Sequence, residues 1–162
     1  MIEHDSTSID DGQDEQGNDE EQVDSYRYSL KYAFELFVQG EPIWWALGNF
    51  MNDFFVYFPE ERQALIDEEI EVPEQATPEQ QKWAVFIAAS AEYFAHKYGL
   101  SVPSWSQKET YKGLDDRWYF QRAALRLDDI RESEEQETPL EYKQRNIICG
   151  KRVWYNKKER IA

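Results

Sequence analysis

Residues that usually perform catalysis or bind metals are scarce in this sequence. The chain has one cysteine, Cys149, and two histidines, His4 and His96, and its seven glycines never cluster. A single cysteine excludes an internal disulfide framework and fits a reducing compartment. Without a glycine cluster the sequence offers neither a phosphate-binding loop nor a nucleophile elbow. These absences argue against an enzyme.

Long apolar runs are also missing from the sequence. No window approaches the ~20 apolar residues that span a bilayer. The acidic N-terminus has neither the basic n-region nor the apolar h-region of a signal peptide. We therefore predict a cytoplasmic protein that does not contact membranes. The length of 162 residues predicts one domain, and the 41% of hydrophobic residues supply one core.

Charge is distributed unevenly along the chain. The formal net charge is −15, and residues 1–24 contain ten acidic residues but no lysine or arginine. Because this segment is so polar, it cannot bury enough apolar surface to offset the loss of chain entropy on ordering. We therefore predict a disordered tail. Residues 142–162 contain seven basic residues and one acidic residue. We predict a disordered acidic tail at 1–24, a helical domain at 25–149 and a basic extension at 150–162.

Proline, glycine and capping residues divide the central part of the chain into predicted helices. Two capping boxes with proline at the first helical position begin at Thr77 and Thr138. The acidic stretch 132–137 is predicted to be a loop. The predicted helices cover residues 26–38, 43–58, 60–69, 78–98, 115–131 and 139–145.

Two short extended runs follow the last predicted helix. Residues 147–150 and 153–155 are compatible with a hairpin that turns at Gly150 and Lys151. We find neither an internal repeat nor a coiled-coil heptad pattern. The predicted fold class is all-α: a single compact helical domain of five to six helices, with a disordered acidic N-terminal tail and a short basic C-terminal extension.

Candidate chemical groups are few and each has a simpler interpretation. Glu92 and His96 lie one turn apart on a predicted helix, but two ligands are too few for a metal site. We interpret them as a surface pair. Cys149 has no histidine near it in sequence, so we interpret it as a small buried residue rather than a nucleophile. No catalytic, cofactor or metal-binding residue is therefore assigned.

Charged residues beside aromatic residues are the better candidates for interaction. Asp53 lies within NDFFVYF, where it either marks the solvent side of the helix or is a buried anchor for Arg117 or Arg126. Arg117 and Trp118 open the sequence RWYF, a composition typical of interface hot spots, although most such residues belong to cores.

The basic C-terminus is a second candidate region. Lys151 and Arg152 lie near Trp154 and Tyr155. Aromatic faces next to lysine and arginine suit contacts with phosphate or with a protein. The simpler interpretation is a solvated terminus, and the acidic net charge of the whole chain disfavours a polyanion.

Five segments carry short motifs in a characteristic order. Residues 50–55 (FMNDFF) are similar to F-x-D-x-F-Y, and residues 59–66 (PEERQALI) supply a polar helix after it. Residues 91–105 match A-E-x-x-A-x-x-x-G-L-x-V-P-x-W. Residues 117–119 (RWY) approximate an Arg-(Pro)-Trp-Phe step, and residues 138–148 are similar to S-P-x-E-F-R-x-R-N-I-F-V. This order resembles that of a family of mostly uncharacterised bacterial helical proteins.

The resemblance covers roughly residues 43–149 and has functional implications. Some relatives carry a helix-turn-helix module ahead of this domain, or are encoded in toxin–antitoxin-like pairs. That implies regulation or neutralisation of a partner rather than catalysis. This chain differs at both ends, with an acidic tail in place of a helix-turn-helix module and a basic extension after the last motif. The candidate interaction residues are Asp53, Trp105, Arg117, Trp118, Arg145, Lys151, Arg152 and Trp154.

We therefore expect a non-enzymatic, antitoxin-like interaction or regulatory module without a cofactor. Its partner would be another bacterial protein, such as a basic toxin or nuclease, and the acidic tail would order on that partner. The alternative is a nucleic-acid-binding accessory factor that uses the basic C-terminus.

Overall fold

The computed structural model describes residues 26–154, apart from the side chains of Gln121 and Arg122. The predicted disorder of the acidic tail and the predicted extension beyond Trp154 lie outside these residues. The described part is mainly helical, with six α-helices and one two-stranded sheet. The α-helices are α1 (Leu30–Val38), α2 (Ile43–Met51), α3 (Arg62–Asp67), α4 (Pro78–Tyr98), α5 (Asp128–Glu137) and α6 (Leu140–Lys143), and the strands are β1 (Trp118–Tyr119) and β2 (Ile147–Ile148).

Helix α4 is the central element of the fold. The Thr77 hydroxyl accepts from the backbone N–H of Gln80, whose side chain accepts from the backbone N–H of Thr77, so the predicted capping box is confirmed. Gly99 ends the helix with a φ of +68°, a conformation that favours glycine. Helices α1, α3 and α6 all contact α4. Most of α4 is buried, so it forms the interior of the domain.

The first two predicted helices are present with shorter bounds. Ser29 caps α1 by accepting from the backbone N–H of Tyr32, so α1 begins four residues later than predicted. The predicted helix at 43–58 consists of α2 and a π-helical turn at Asn52–Tyr57. That turn directs Phe54 into the core, where its ring lies 4.6 Å from the ring of Phe94.

The predicted helix at 115–131 is wrong. Trp118 and Tyr119 form β1, which pairs in parallel with β2 in the register Trp118↔Ile147. A 3₁₀ turn at Gln121–Leu125 follows. Bulky aromatic residues in succession suit an extended chain that packs against a core better than a helix.

The predicted acidic loop at 132–137 is also wrong, because these residues belong to α5. Asp128 and Asp129 occupy its first turn, where carboxylates interact favourably with the helix dipole. Short 3₁₀ turns at Pro59–Glu61, Ser104–Gln107 and Glu109–Tyr111 complete the described helical segments.

Thr138 does not form the predicted second capping box. Its hydroxyl donates to the carbonyl of Glu134 and accepts from the backbone N–H groups of Cys149 and Gly150, at 3.1 and 2.8 Å. Pro139 therefore occupies the N-cap position of α6. The predicted hairpin at Gly150 is not formed by the described residues, because β2 pairs with β1 and the chain then turns inward.

Candidate interaction surfaces

Arg145 lies in the interior, where its guanidinium holds several elements together. It is 3% exposed, and its Nη1 lies 2.7 Å from Oε1 of Glu92 on α4. The guanidinium also donates to the backbone carbonyls of Ser106, Tyr111 and Glu141. These four acceptors and Arg145 form what we call the Arg145 cluster. A charge with this many partners can be buried, and its role here is structural.

Trp154 is likewise part of the core. It is 7% exposed, and its indole Nε1 donates to the hydroxyls of Tyr142 at 2.6 Å and Ser90 at 3.2 Å. Ser90 in turn donates to the carbonyl of Phe86. Burial raises the pKa of Tyr142, so its hydroxyl stays protonated. The core therefore extends through Trp154, and this indole is not exposed for stacking on a base.

Two more of the candidate residues are buried. The indole of Trp105 is 5% exposed and donates to the carbonyl of Ile66. Asp53 is 7% exposed, so it does not mark the solvent side of its helix. It is a buried anchor, but its partner is the backbone N–H of Tyr28 at 2.8 Å rather than an arginine. Asp53 thereby ties the segment before α1 to the π-helical turn.

The other four candidates lie nearer the surface. Arg117 forms an exposed ion pair with Glu135 on α5. The half-buried ring of Trp118 stacks on Phe120. Lys151 and Arg152 are exposed, with Lys151 3.7 Å from Glu137. Both of these ion pairs are with α5, whereas the other four candidates are enclosed, so the eight predicted residues do not form one site.

The chemically reactive side chains in the described part of the chain are either buried or paired with another side chain. Cys149 is buried, and its desolvation, with the nearby charge of Glu134, raises the pKa of the thiol. A protonated buried thiol is a poor nucleophile. Nδ1 of His96 lies 2.6 Å from the carboxylate of Glu141, so His96 pairs with α6 rather than with Glu92. Among the described residues, no group of three potential ligand side chains could hold a metal ion.

An uncharged groove lies on the outer side of α2 and the π-helical turn. It has a volume of about 370 Å³. A Cβ added at Gly48 would meet no atom within 4 Å, so the groove is open at this point. Trp45 is 50% and Val56 is 37% exposed. This surface, which we call the aromatic groove, is lined by Trp44, Trp45, Gly48, Asn49, Met51, Asn52, Phe55 and Val56.

A second surface protrudes where the 3₁₀ turn meets α5. Leu125 and Leu127 are 57% and 56% exposed, on either side of Arg126. Arg126 has a φ of +60°, a left-handed conformation that costs a non-glycine residue about 1–2 kcal/mol. The exposed acidic side chains of α5 follow directly. We define the acidic tip as Leu125, Leu127, Asp128, Asp129 and Glu132.

Arg131 holds the acidic tip in place. Its backbone N–H donates to the carbonyl of Leu127, and its Nε donates to the carbonyl of Ala123. The guanidinium lies 4.3 Å from the ring centre of Tyr119. The tip is therefore attached to β1 through a cation–π contact as well as hydrogen bonds.

Neither surface was assigned from the sequence, although each had a signal. Leu125 and Leu127 are two residues apart, a spacing that places them on different faces of the helix predicted there. Gly48 permits a neighbouring helix to approach α2 closely, and the structure leaves that position uncovered.

No helix among residues 26–154 is long and apolar enough to cross a bilayer. No family model matches the chain, and no curated protein or solved structure is significantly similar to it.

Proposed function

We propose that the protein is a non-enzymatic interaction module that binds a basic partner protein through the acidic tip, in the manner of an antitoxin. The observation that carries this proposal is the pair of exposed leucines that flank Arg126 in a left-handed conformation. Non-glycine residues held in a left-handed conformation cluster at functional sites.

The charges around the leucines define the chemistry of the partner. Asp128, Asp129 and Glu132 are exposed on α5 and outnumber the exposed Arg126, and the whole chain carries a net charge of −15. Such a surface attracts a basic protein at long range, while the two leucines supply apolar anchors at contact. A basic toxin or nuclease fits this description. Polyanions are repelled, which disfavours the nucleic-acid alternative.

Two tip variants test the proposal in the cells that carry the chain. Leu125→Ser/Leu127→Ser removes the anchors, and Asp128→Lys/Asp129→Lys/Glu132→Lys reverses the charge. We expect affinity purification of the full chain to recover one basic protein in stoichiometric amount, and each variant to lose most of it. If the partner is toxic, co-expression of the wild-type chain should restore growth and the variants should not.

Matched controls lie elsewhere on the surface. Leu140→Ser removes a leucine that is 67% exposed, and Asp115→Lys/Asp116→Lys reverses two other exposed acidic residues. Both controls should retain the partner. With the partner purified, affinity should fall as salt rises, and removal of residues 1–24 should weaken binding and flatten that salt dependence. Equal loss in controls and tip variants, or recovery of nucleic acid instead of protein, would contradict the proposal.

A further inference from the structure

The aromatic groove has the opposite electrostatic character to the acidic tip. None of its eight lining residues is ionisable, although 31% of the chain is charged. A binding site for a basic partner is expected to carry carboxylates, because complementary charge provides specificity and raises the association rate. The groove lacks that form of recognition, so its occupant must fit by shape and apolar contact.

We propose that the aromatic groove binds a second copy of this chain and forms a weak symmetric dimer across α2. Two copies of a protein with a net charge of −15 repel each other wherever carboxylates would meet. An uncharged surface lets them meet with the least local repulsion.

The shape of the groove is self-complementary, as a two-fold interface requires. Trp45 and Gly48 are three residues apart on α2, so they share one face of the helix. The half-exposed indole of Trp45 projects beside a position that has no side chain. A two-fold axis near Gly48 therefore places Trp45 of each copy over Gly48 of the other.

One polar side chain of the groove is already hydrogen-bonded within its own copy. The side-chain amide of Asn49 donates to the carbonyl of Trp45 within the same helix, at 2.9 Å. One N–H of this amide therefore keeps its partner when the second copy excludes water. Trp44 is held from behind by T-shaped contacts with Trp83 and Trp154, so this wall of the groove is rigid.

The exposed area indicates a reversible dimer rather than a permanent one. Trp44 is 37% and Trp45 50% exposed. With about 200 Å² per aromatic side chain, these two residues supply roughly 170 Å² per copy. Even with Val56 and the asparagines added, the area from both copies together stays below the ~1,600 Å² of a standard stable interface. Association should therefore depend on protein concentration.

Sedimentation velocity on the full chain tests the proposal, with protein between about 5 and 500 µM under reducing conditions. We expect a monomer at the low end and a growing dimer fraction at the high end. Raising the salt from about 50 to 500 mM should strengthen the dimer, because screening reduces the repulsion between the copies. This is the reverse of the salt effect expected for the basic partner.

Gly48→Leu is the decisive variant. Its side chain enters open space in a helix that leucine favours over glycine, so folding should be retained or improved. The same side chain fills the position that the second copy needs, and we expect at least a tenfold weaker dimer. Trp45→Gln should act in the same direction, while Leu140→Ser should leave association unchanged.

Three results would overturn the proposal: a monomer at every concentration and salt, a dimer that Gly48→Leu leaves intact, or a dimer that salt weakens. Binding of a different protein that Gly48→Leu abolishes, with the chain itself monomeric, would also overturn it. Loss of the basic partner in the tip variants is measured in a separate experiment. The proposed function and the dimer can therefore be refuted independently of each other.

Discussion

The Arg145 cluster contains an arginine and the acidic tip has another, Arg126, between its two leucines, but the surroundings of the two arginines are opposite. Arg145 is 3% exposed and donates to a carboxylate and three backbone carbonyls. Arg126 is exposed and sits between two exposed leucines with a left-handed backbone. In the Arg145 cluster the polar groups are hydrogen-bonded inside the domain. At the acidic tip a strained backbone residue and apolar side chains are exposed to water.

The difference separates residues that maintain the fold from residues that are available to a partner. Glu92, Ser106 and Tyr111 bring α4 and the two 3₁₀ turns onto Arg145, so this cluster closes the long connection between α4 and β1. A substitution there should change the free energy of unfolding. A substitution in the acidic tip should change binding and leave stability nearly unchanged.

Arg145→Met gives the largest expected effect. The substitution removes the cation that pairs with the partly buried Glu92, and it removes the donor to the carbonyls of Ser106 and Tyr111. Breaking a buried pair by removing one partner costs about 3–5 kcal/mol. Urea denaturation followed by circular dichroism should show this loss.

The double variant Glu92→Gln/Arg145→Met is the control for the buried charge. Because it removes the uncompensated carboxylate, it should be more stable than Arg145→Met alone, with a coupling energy of about 1–3 kcal/mol. A loss below about 1 kcal/mol for Arg145→Met would show that the cluster does not support the fold.

The pH dependence of stability gives the second largest effect. Burial and Glu134 raise the pKa of Cys149 from its ordinary value of 9.0, so above pH 9 the thiol ionises in the unfolded chain but not in the native one. The unfolded state then binds fewer protons, and stability falls as pH rises. For this one group the loss is about 1.4 kcal/mol at pH 10 relative to pH 7.

Cys149→Ala isolates this contribution from the other groups that titrate at high pH. Tyr142 and Tyr111, whose pKa values burial also raises, lower stability above pH 10 in both proteins. Between pH 7 and pH 10 the stability of the cysteine form should fall by about 1.4 kcal/mol more than that of the alanine form. Parallel curves for the two proteins would mean that the native thiol ionises freely.

The sequence predicts the N-terminal half of the fold better than the C-terminal half. Helix α4 has a capping box at Thr77 and a glycine at its end, and both local signals agree with the tertiary structure. In the later part, local signals compete with long-range contacts. Thr138 has the sequence of a helix cap, yet its hydroxyl binds Cys149 and Gly150 eleven and twelve residues away.

The same limit applies to the candidate interaction residues. Arginine and tryptophan occur in cores and in interfaces, so residue type alone could not tell Arg145 and Trp154 from Arg117. Only the tertiary structure shows that the first two are enclosed and the third is exposed. For Asp53 the sequence left open whether it marks the solvent side or is a buried anchor, and a backbone N–H is a partner that a sequence motif does not reveal.

Arg126→Gly tests the smallest effect, at the tip. Glycine adopts a φ of +60° without strain, and this gain exceeds the extra entropy of the unfolded chain, so we expect stability to rise by about 0.5 kcal/mol. The matched change Arg152→Gly removes an exposed arginine whose φ is not positive, and it should lower stability by about 0.5–1 kcal/mol. Both values come from the same urea titrations.

Because Arg126→Gly keeps both leucines and all three acidic residues of the tip, binding of the basic partner should persist. If it destabilises the protein as much as Arg152→Gly does, the left-handed residue carries no strain, and the tip differs from the Arg145 cluster only in its exposure.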